Sequence, residues 1–330
     1  MVGLTMKMIM VSLILAIVVC TTPDVDFNEI AEDLGYYSET YQVTTTDGYI
    51  LTLYRIPLSL HQNPTSETIP SCVNTDYEET GCSGQPVLLS HLISSTSENF
   101  VSNGPELSPA FYLANAGFDV WAINFRGGQH SRNHVELDPD TDQEFWEYNL
   151  QSGIEDYRAT IEFILQQTEY STVSVVGLSH GATEMIVAAS EEPDWFTSRV
   201  NVIVALSPVM RLEGLTHAIF NILFDLDTVN LMQNLGLSEL VQNSCRVCPF
   251  EDNQNWAGAC PMFTRICRLF VGIGARVNGL NDDYLEGVDS LSGFNMLMDH
   301  LLMGGSLRIN QHYAQIRSTS KLHSYSLTNF

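Results

Sequence analysis

Basic residues are scarce in this chain: 14 Lys and Arg stand against 39 Asp and Glu, a formal net charge of −25. A surface so short of cations cannot build the basic stripe that binds phosphate backbones, which excludes nucleic acid as a partner. Charge of either sign is limited to 16% of residues while 45% are hydrophobic, the balance of a protein with a sizeable core rather than a disordered one. Long apolar runs are missing too. The first, "MKMIMVSLILAIVVC", holds about a dozen apolar residues, short of the roughly 20 that span a bilayer, and it stops at the polar "TTPDVDFNE". It reads as a cleaved secretory signal over residues 1–20, with Val18 and Cys20 before the cut. The expected setting is secreted, with a lysosomal or gut lumen as variants. No N-x-S/T sequon with an allowed middle residue occurs, so N-glycosylation is not expected.

Beyond Cys20 the cysteines are Cys72, Cys82, Cys245, Cys248, Cys260 and Cys267, and an even number in a secreted chain points to disulfides. Cys72 and Cys82 bracket the polar "VNTDYEETG", a loop closure that is easy to make. The pairing among the other four stays open, with Cys248–Cys267 carried as the second candidate. Cys245-x-x-Cys248 has zinc spacing, but no second pair or nearby histidines complete a tetrahedral set. No metal and no cofactor are expected.

The patterning alternates strands and helices. "YQVTTTDGYILTLYRIP" reads as a β-hairpin turning at Asp47-Gly48. "PVLLS" (86–90) is a short buried strand ending at His91. "SPAFYLANAG" is a helix stopped by Gly117, with Phe111, Leu113 and Ala114 on its apolar side. "FDVWAINF" is another strand, and "QSGIEDYRATIEFILQQT" places Ile154, Tyr157, Ile161 and Ile164/Leu165 on one helical face. A strand over 171–179, its helix, and a strand over 199–209 follow. This order predicts an α/β fold with a mostly parallel sheet covered on both sides, and a site at the carboxyl ends of the strands. From 210 to about 310 strand signals vanish. "RLEGLTHAIFNILFDLDTVNLMQNLGLSELVQ" and "FNMLMDHLLMGG" predict a helical cap, and Met296, Met298 and Met303 suit a pliable lipid-facing surface, although helix core is the blander reading.

Gly177-Leu178-Ser179-His180-Gly181 is a G-x-S-x-G pentapeptide at a strand-to-helix junction, the pattern of a serine held on a tight turn for attack on an ester carbonyl. A serine needs a base to take its proton.

The blocks "YQVTTTDGYILTLYRIP", "FYLANAGFDVWAINFRGG", "HVELDPDTDQEFWEY", "GLSHGATEMIVAAS" and "VIVALSPV" occur in the order found in acid lipases. The chain resembles that family of gastric and lysosomal enzymes, α/β-hydrolases with a helical cap that cleave triacylglycerols and sterol esters. The resemblance implies Ser179 as nucleophile and the backbone N–H groups of His180 and Ile93 as oxyanion donors. It further implies a lipid ester substrate and transient contact of the cap with a lipid surface. The chain departs from the family at three places. Leu92 replaces the glycine of the family's His-Gly-Leu loop, where a branched residue resists the backbone geometry glycine allows. Leu178 replaces a histidine, and His180 a glutamine. Moreover, "HYAQIRSTSKLHSYSLTNF" matches the segment leading to the family's next-to-last strand, so 311–330 is expected to return to a core whose last strands are missing. In the order Ser, acid, His, both partners of Ser179 then belong beyond Phe330. His180 adjoins the serine but should point away, His91 lies near the strand ends, and His300, His312 and His323 fall in the cap or its exit. Two functions are therefore expected. One is a secreted lipase-family ester hydrolase with Ser179 but an incomplete triad. The other is a catalytically inactive secreted lipid-binding relative.

Overall fold

The computed structural model describes residues 26–57, 84–212, 221, 223–239 and 304–325. The signal segment 1–20, all six cysteines named above, Met296, Met298, Met303 and His300 lie outside the described residues. The chain divides between Met210 and Arg211 into two compact units.

The first unit is built on one mixed sheet. Strands β1 (Glu39–Thr44) and β2 (Tyr49–Ile56) form the expected hairpin, with Gly48 at φ +96° in its turn. Strands β3 (Pro86–Ser90), β4 (Asp119–Ile123), β6 (Val173–Leu178) and β7 (Val200–Leu206) complete the spatial order β1-β2-β4-β3-β6-β7, and the two-residue β5 (Asn133–His134) pairs with β2. The β1–β2 and β2–β4 pairs are antiparallel, whereas β4, β3, β6 and β7 run parallel. Helix α1 (Phe27–Asp33) precedes the sheet, each parallel step is bridged by a helix, α2 (Pro109–Asn115), α3 (Gly153–Thr168) and α4 (His180–Glu191), and the short α5 (Pro193–Thr197) follows α4. Strands β3 and β4 are buried at every position because helices and hairpin cover both faces, which is why Pro86–Leu89 and Val120–Ile123 read as short apolar runs. Tyr157, Ile161 and Ile164 form the buried stripe of α3, as the 3.6-residue spacing predicts. After β3 the chain crosses to β4 on one side and later to β6 on the other, so the order reverses at β3/β6. Ligands of open α/β sheets bind at such a crevice, at the strands' carboxyl ends.

In the second unit the described residues hold helix α6 (Leu226–Asn234) and helix α7 (Leu307–Thr319). Met232 and Leu307 share a small buried cluster, and Gln311 Nε2 donates to Asn230 Oδ1 at 3.0 Å. Helix α7 runs through position 310, where the cap was expected to give way to a return segment. Among the described residues no helix is long and apolar enough to cross a membrane.

Among the described residues strand β7 is an edge, and only Val200 in it is buried. Val202 is 49% exposed, Ile203 40%, Val204 41% and Leu206 44%. Successive residues point to opposite faces, so apolar surface is open on both sides of this edge, a template for association. The chain from residue 21 to 330 is expected to self-associate in a concentration-dependent way, and Val202→Lys with Val204→Lys to reduce this. Light scattering after size exclusion checks it; a monodisperse wild-type monomer would contradict it.

Candidate active site

Ser179 joins β6 to α4 at φ +53°, ψ −106°. A non-glycine residue there bears strain on the order of 1–3 kcal/mol, which persists only where the surroundings fix it. Three contacts fix it. The Ser179 N–H donates to the Leu206 carbonyl at 2.8 Å, tying the turn to the end of β7. The Ser179 carbonyl accepts from both the backbone N–H and the hydroxyl of Thr183, each at 3.0 Å. The flanking glycines let helix and strand touch: a Cβ on Gly177 would lie 2.6 Å from the Ala182 backbone, and one on Gly181 2.6 Å from the Ser90 carbonyl.

The loop after β3 meets this turn directly. The Gly181 N–H donates to the His91 carbonyl at 3.1 Å. The buried Tyr157 hydroxyl lies 2.7 Å from both the Gly181 carbonyl and Ser90 Oγ, donating to the first and accepting from the second. Of the expected oxyanion donors, His180 is the first residue of α4, where N–H groups point out of the helix start, and Ile93 lies half-buried in the adjoining loop. The strain expected at Leu92 is not there. Leu92 and Ile93 keep negative φ, and the left-handed residue of the loop is Ser94 at φ +50°. The backbone reverses two residues later than a glycine at 92 would suggest, so a branched side chain is accommodated.

His91 is a strut rather than a base. Its Nε2 accepts the Phe125 N–H at 3.2 Å, which leaves the proton on Nδ1 to donate to the Leu92 carbonyl at 2.7 Å. Burial, the leading cause, lowers its pKa from 6.5 to about 4. The other described histidines of this unit are engaged as well. His130 Nε2 lies 2.7 Å from the buried Glu98, His134 bonds to the Asp47 carbonyl and the N–H groups of Glu136 and Leu137, and His180 Nε2 lies 3.2 Å from Glu184 Oε1. His312 and His323 belong to the other unit; there His312 Nε2 contacts the His323 carbonyl at 2.7 Å, and burial first of all lowers the His312 pKa to about 4.

Two family models match the chain. A partial alpha/beta-hydrolase lipase region matches residues 27–104, and the alpha/beta hydrolase fold matches residues 85–238. Gastric triacylglycerol lipase of Mus musculus is 31% identical over 300 residues, covering 88% of this chain and 67% of that one. The chain belongs to the lipase family of α/β-hydrolases. Lipase member K of Homo sapiens is 28% identical over 93% of this chain and 70% of its own length, and the human lipase member M is 38% identical over 57% and 41%.

Around this lipase elbow lies a polar shell that sequence reasoning missed. Arg126 is stacked 4.1 Å over the Tyr49 ring and clamped between Asp47 (2.5 Å) and Asp156 (2.6 Å). Desolvation, with the nearby Glu184 charge adding to it, raises the Asp156 carboxyl to about 6 despite Arg126. The one sequence signal for part of this shell was the i, i+4 spacing of His180 and Glu184. Among the described residues no group of three or more metal-ligating side chains occurs.

Two outcomes follow from the packing and the proton positions. Gly181→Ala must displace the Ser90 carbonyl or the helix, and is expected to lower stability in urea by about 1–3 kcal/mol. A variant as stable as wild type would contradict the contact. For His91, the native state holds the ring neutral while the unfolded chain binds a proton below 6.5. Its contribution is therefore complete above pH 6.5 and lost as pH falls towards 4. The stability difference between wild type and His91→Asn is expected to shrink by up to about 3 kcal/mol over that window. A difference independent of pH would contradict the strut.

Proposed function

We propose that the protein is a secreted serine ester hydrolase of lipid catabolism, acting on acylglycerols or sterol esters with Ser179 as nucleophile. The observation that carries this reading is Ser179 in the left-handed region at the β6–α4 turn, beside the order reversal of the sheet. Ser179 Oγ attacks the ester carbonyl as its proton passes to a base, the ester C–O bond breaks as the alcohol leaves with that proton, and water then cleaves the acyl-enzyme to release the acid and restore Ser179. The His180 and Ile93 N–H groups hold the negative oxygen. No cofactor takes part. The helical unit after Met210 supplies transient contact with the lipid surface.

The base is not one of the four described histidines of the first unit, each of which is engaged elsewhere. That observation favours a second reading, a lipid-binding relative that keeps the elbow without turnover. Elbow and binding without the base leave about 10³–10⁴-fold catalysis over water. The 330-residue chain is therefore expected to hydrolyse p-nitrophenyl butyrate hardly faster than its Ser179→Ala variant. A fusion adding the part of the mouse gastric lipase that this chain does not cover is expected to react with a fluorophosphonate at Ser179. If that fusion stays inert, the lipid-binding reading holds instead. Fast labelling of the 330-residue chain would place the base among its other histidines.

A further inference from the structure

We propose that Glu184 is a positioning residue for the elbow, acting through the His180 ring; the inference rests on Ser179 being the nucleophile. His180 directly follows the nucleophile, and its backbone N–H is the nearer oxyanion donor. Its side chain does not face solvent. Ring and carboxylate are each 4% exposed, one helical turn apart at 3.2 Å. The ring meets Phe125 edge-on at 5.6 Å, and Phe125 also meets the His91 ring edge-on at 4.8 Å while its N–H binds His91 Nε2. One aromatic side chain thus wedges between the histidines of both oxyanion segments, and Glu184 holds one side of that wedge.

A carboxylate is an expensive choice at this position. Its helical neighbours Met185, Val187 and Ala188 are buried and apolar, and an apolar side chain would pack there without the desolvation that a buried charge incurs. The surroundings are arranged to hold it. The carboxylate lies against Gly153, the first residue of the 16-residue helix α3, where a Cβ would come within 2.6 Å of its carboxyl carbon. The positive end of the α3 dipole therefore faces Glu184 from one side and the His180 ring from the other. The remaining charged groups of the cluster are Asp156 in the first turn of α3, then Arg126 and Asp47. Asp156 repels Glu184, and Arg126 offsets that repulsion. A charge so enclosed restricts the His180 ring to one orientation, and with it the backbone that presents Gly181 to His91.

The test is single-residue hydrogen exchange on the full chain at the Gly181 and Thr183 amides, bonded to the His91 and Ser179 carbonyls. Glu184→Gln keeps size and an acceptor but removes the charge. It is expected to speed exchange at both amides about tenfold or more while the β1–β2 amides stay as in wild type. His180→Gln, whose amide still donates to Glu184, is expected to retain protection, and His180→Ala to lose it. If Glu184→Gln does not fold, the His180 pair decides alone. Unchanged exchange in Glu184→Gln, equal acceleration in β1–β2, or equal behaviour of His180→Gln and His180→Ala would overturn the proposal. Exchange needs no turnover, so a fusion that stays inert while the full chain shows the expected exchange pattern counts against the hydrolase reading only.

Discussion

The bond from the Gly181 N–H to the His91 carbonyl is the contact on which the rest of the site depends. It joins the helix that starts after Ser179 to the loop that leaves the neighbouring strand, and it forms only because residue 181 has no side chain. Any Cβ there would occupy the place of the Ser90 carbonyl. With helix and loop in contact, Tyr157 can bridge Gly181 and Ser90, and Phe125 can reach both histidines. The strain at Ser179 is sustained by the same arrangement, since the turn is bonded at once to β7 and to Thr183. The site is a junction of four strand ends rather than a property of one pentapeptide.

Histidine is used in this junction for its shape and its two nitrogens. A neutral imidazole with one donor and one acceptor can satisfy two backbone groups of the same loop, as His91 does with Leu92 and Phe125. The acidic excess has a matching internal part. Asp47 and Asp156 share Arg126, whose planar fork serves two carboxylates where a lysine would serve one point of contact. Most of the other described acidic residues are exposed or half-buried, where charge favours solubility.

Elements whose residues obey one period were legible from the sequence. The hairpin at Asp47-Gly48, the short 86–90 strand and the α3 stripe of Tyr157, Ile161 and Ile164 each carry their burial in their patterning. Ser179 was legible because its chemistry needs glycines two residues to either side. The loop was read less well. Leu92 for glycine suggests strain only if that residue must be left-handed, and here the reversal sits at Ser94. The His91 contacts join residues 34 positions apart and Arg126–Asp156 joins residues 30 apart, so no local pattern announces them. Tertiary proximity turned His91 from a candidate base into a strut.

The central claim is that loop and elbow form one hydrogen-bonded unit in which His91 is a structural, neutral ring. Nitrogen-15 NMR of the histidine rings tests it most directly. The account predicts His91 with its proton on Nδ1, Nε2 accepting, and no change of state between pH 7 and pH 5, well above its pKa of about 4. A proton on Nε2, or titration of His91 near the ordinary 6.5, would contradict it.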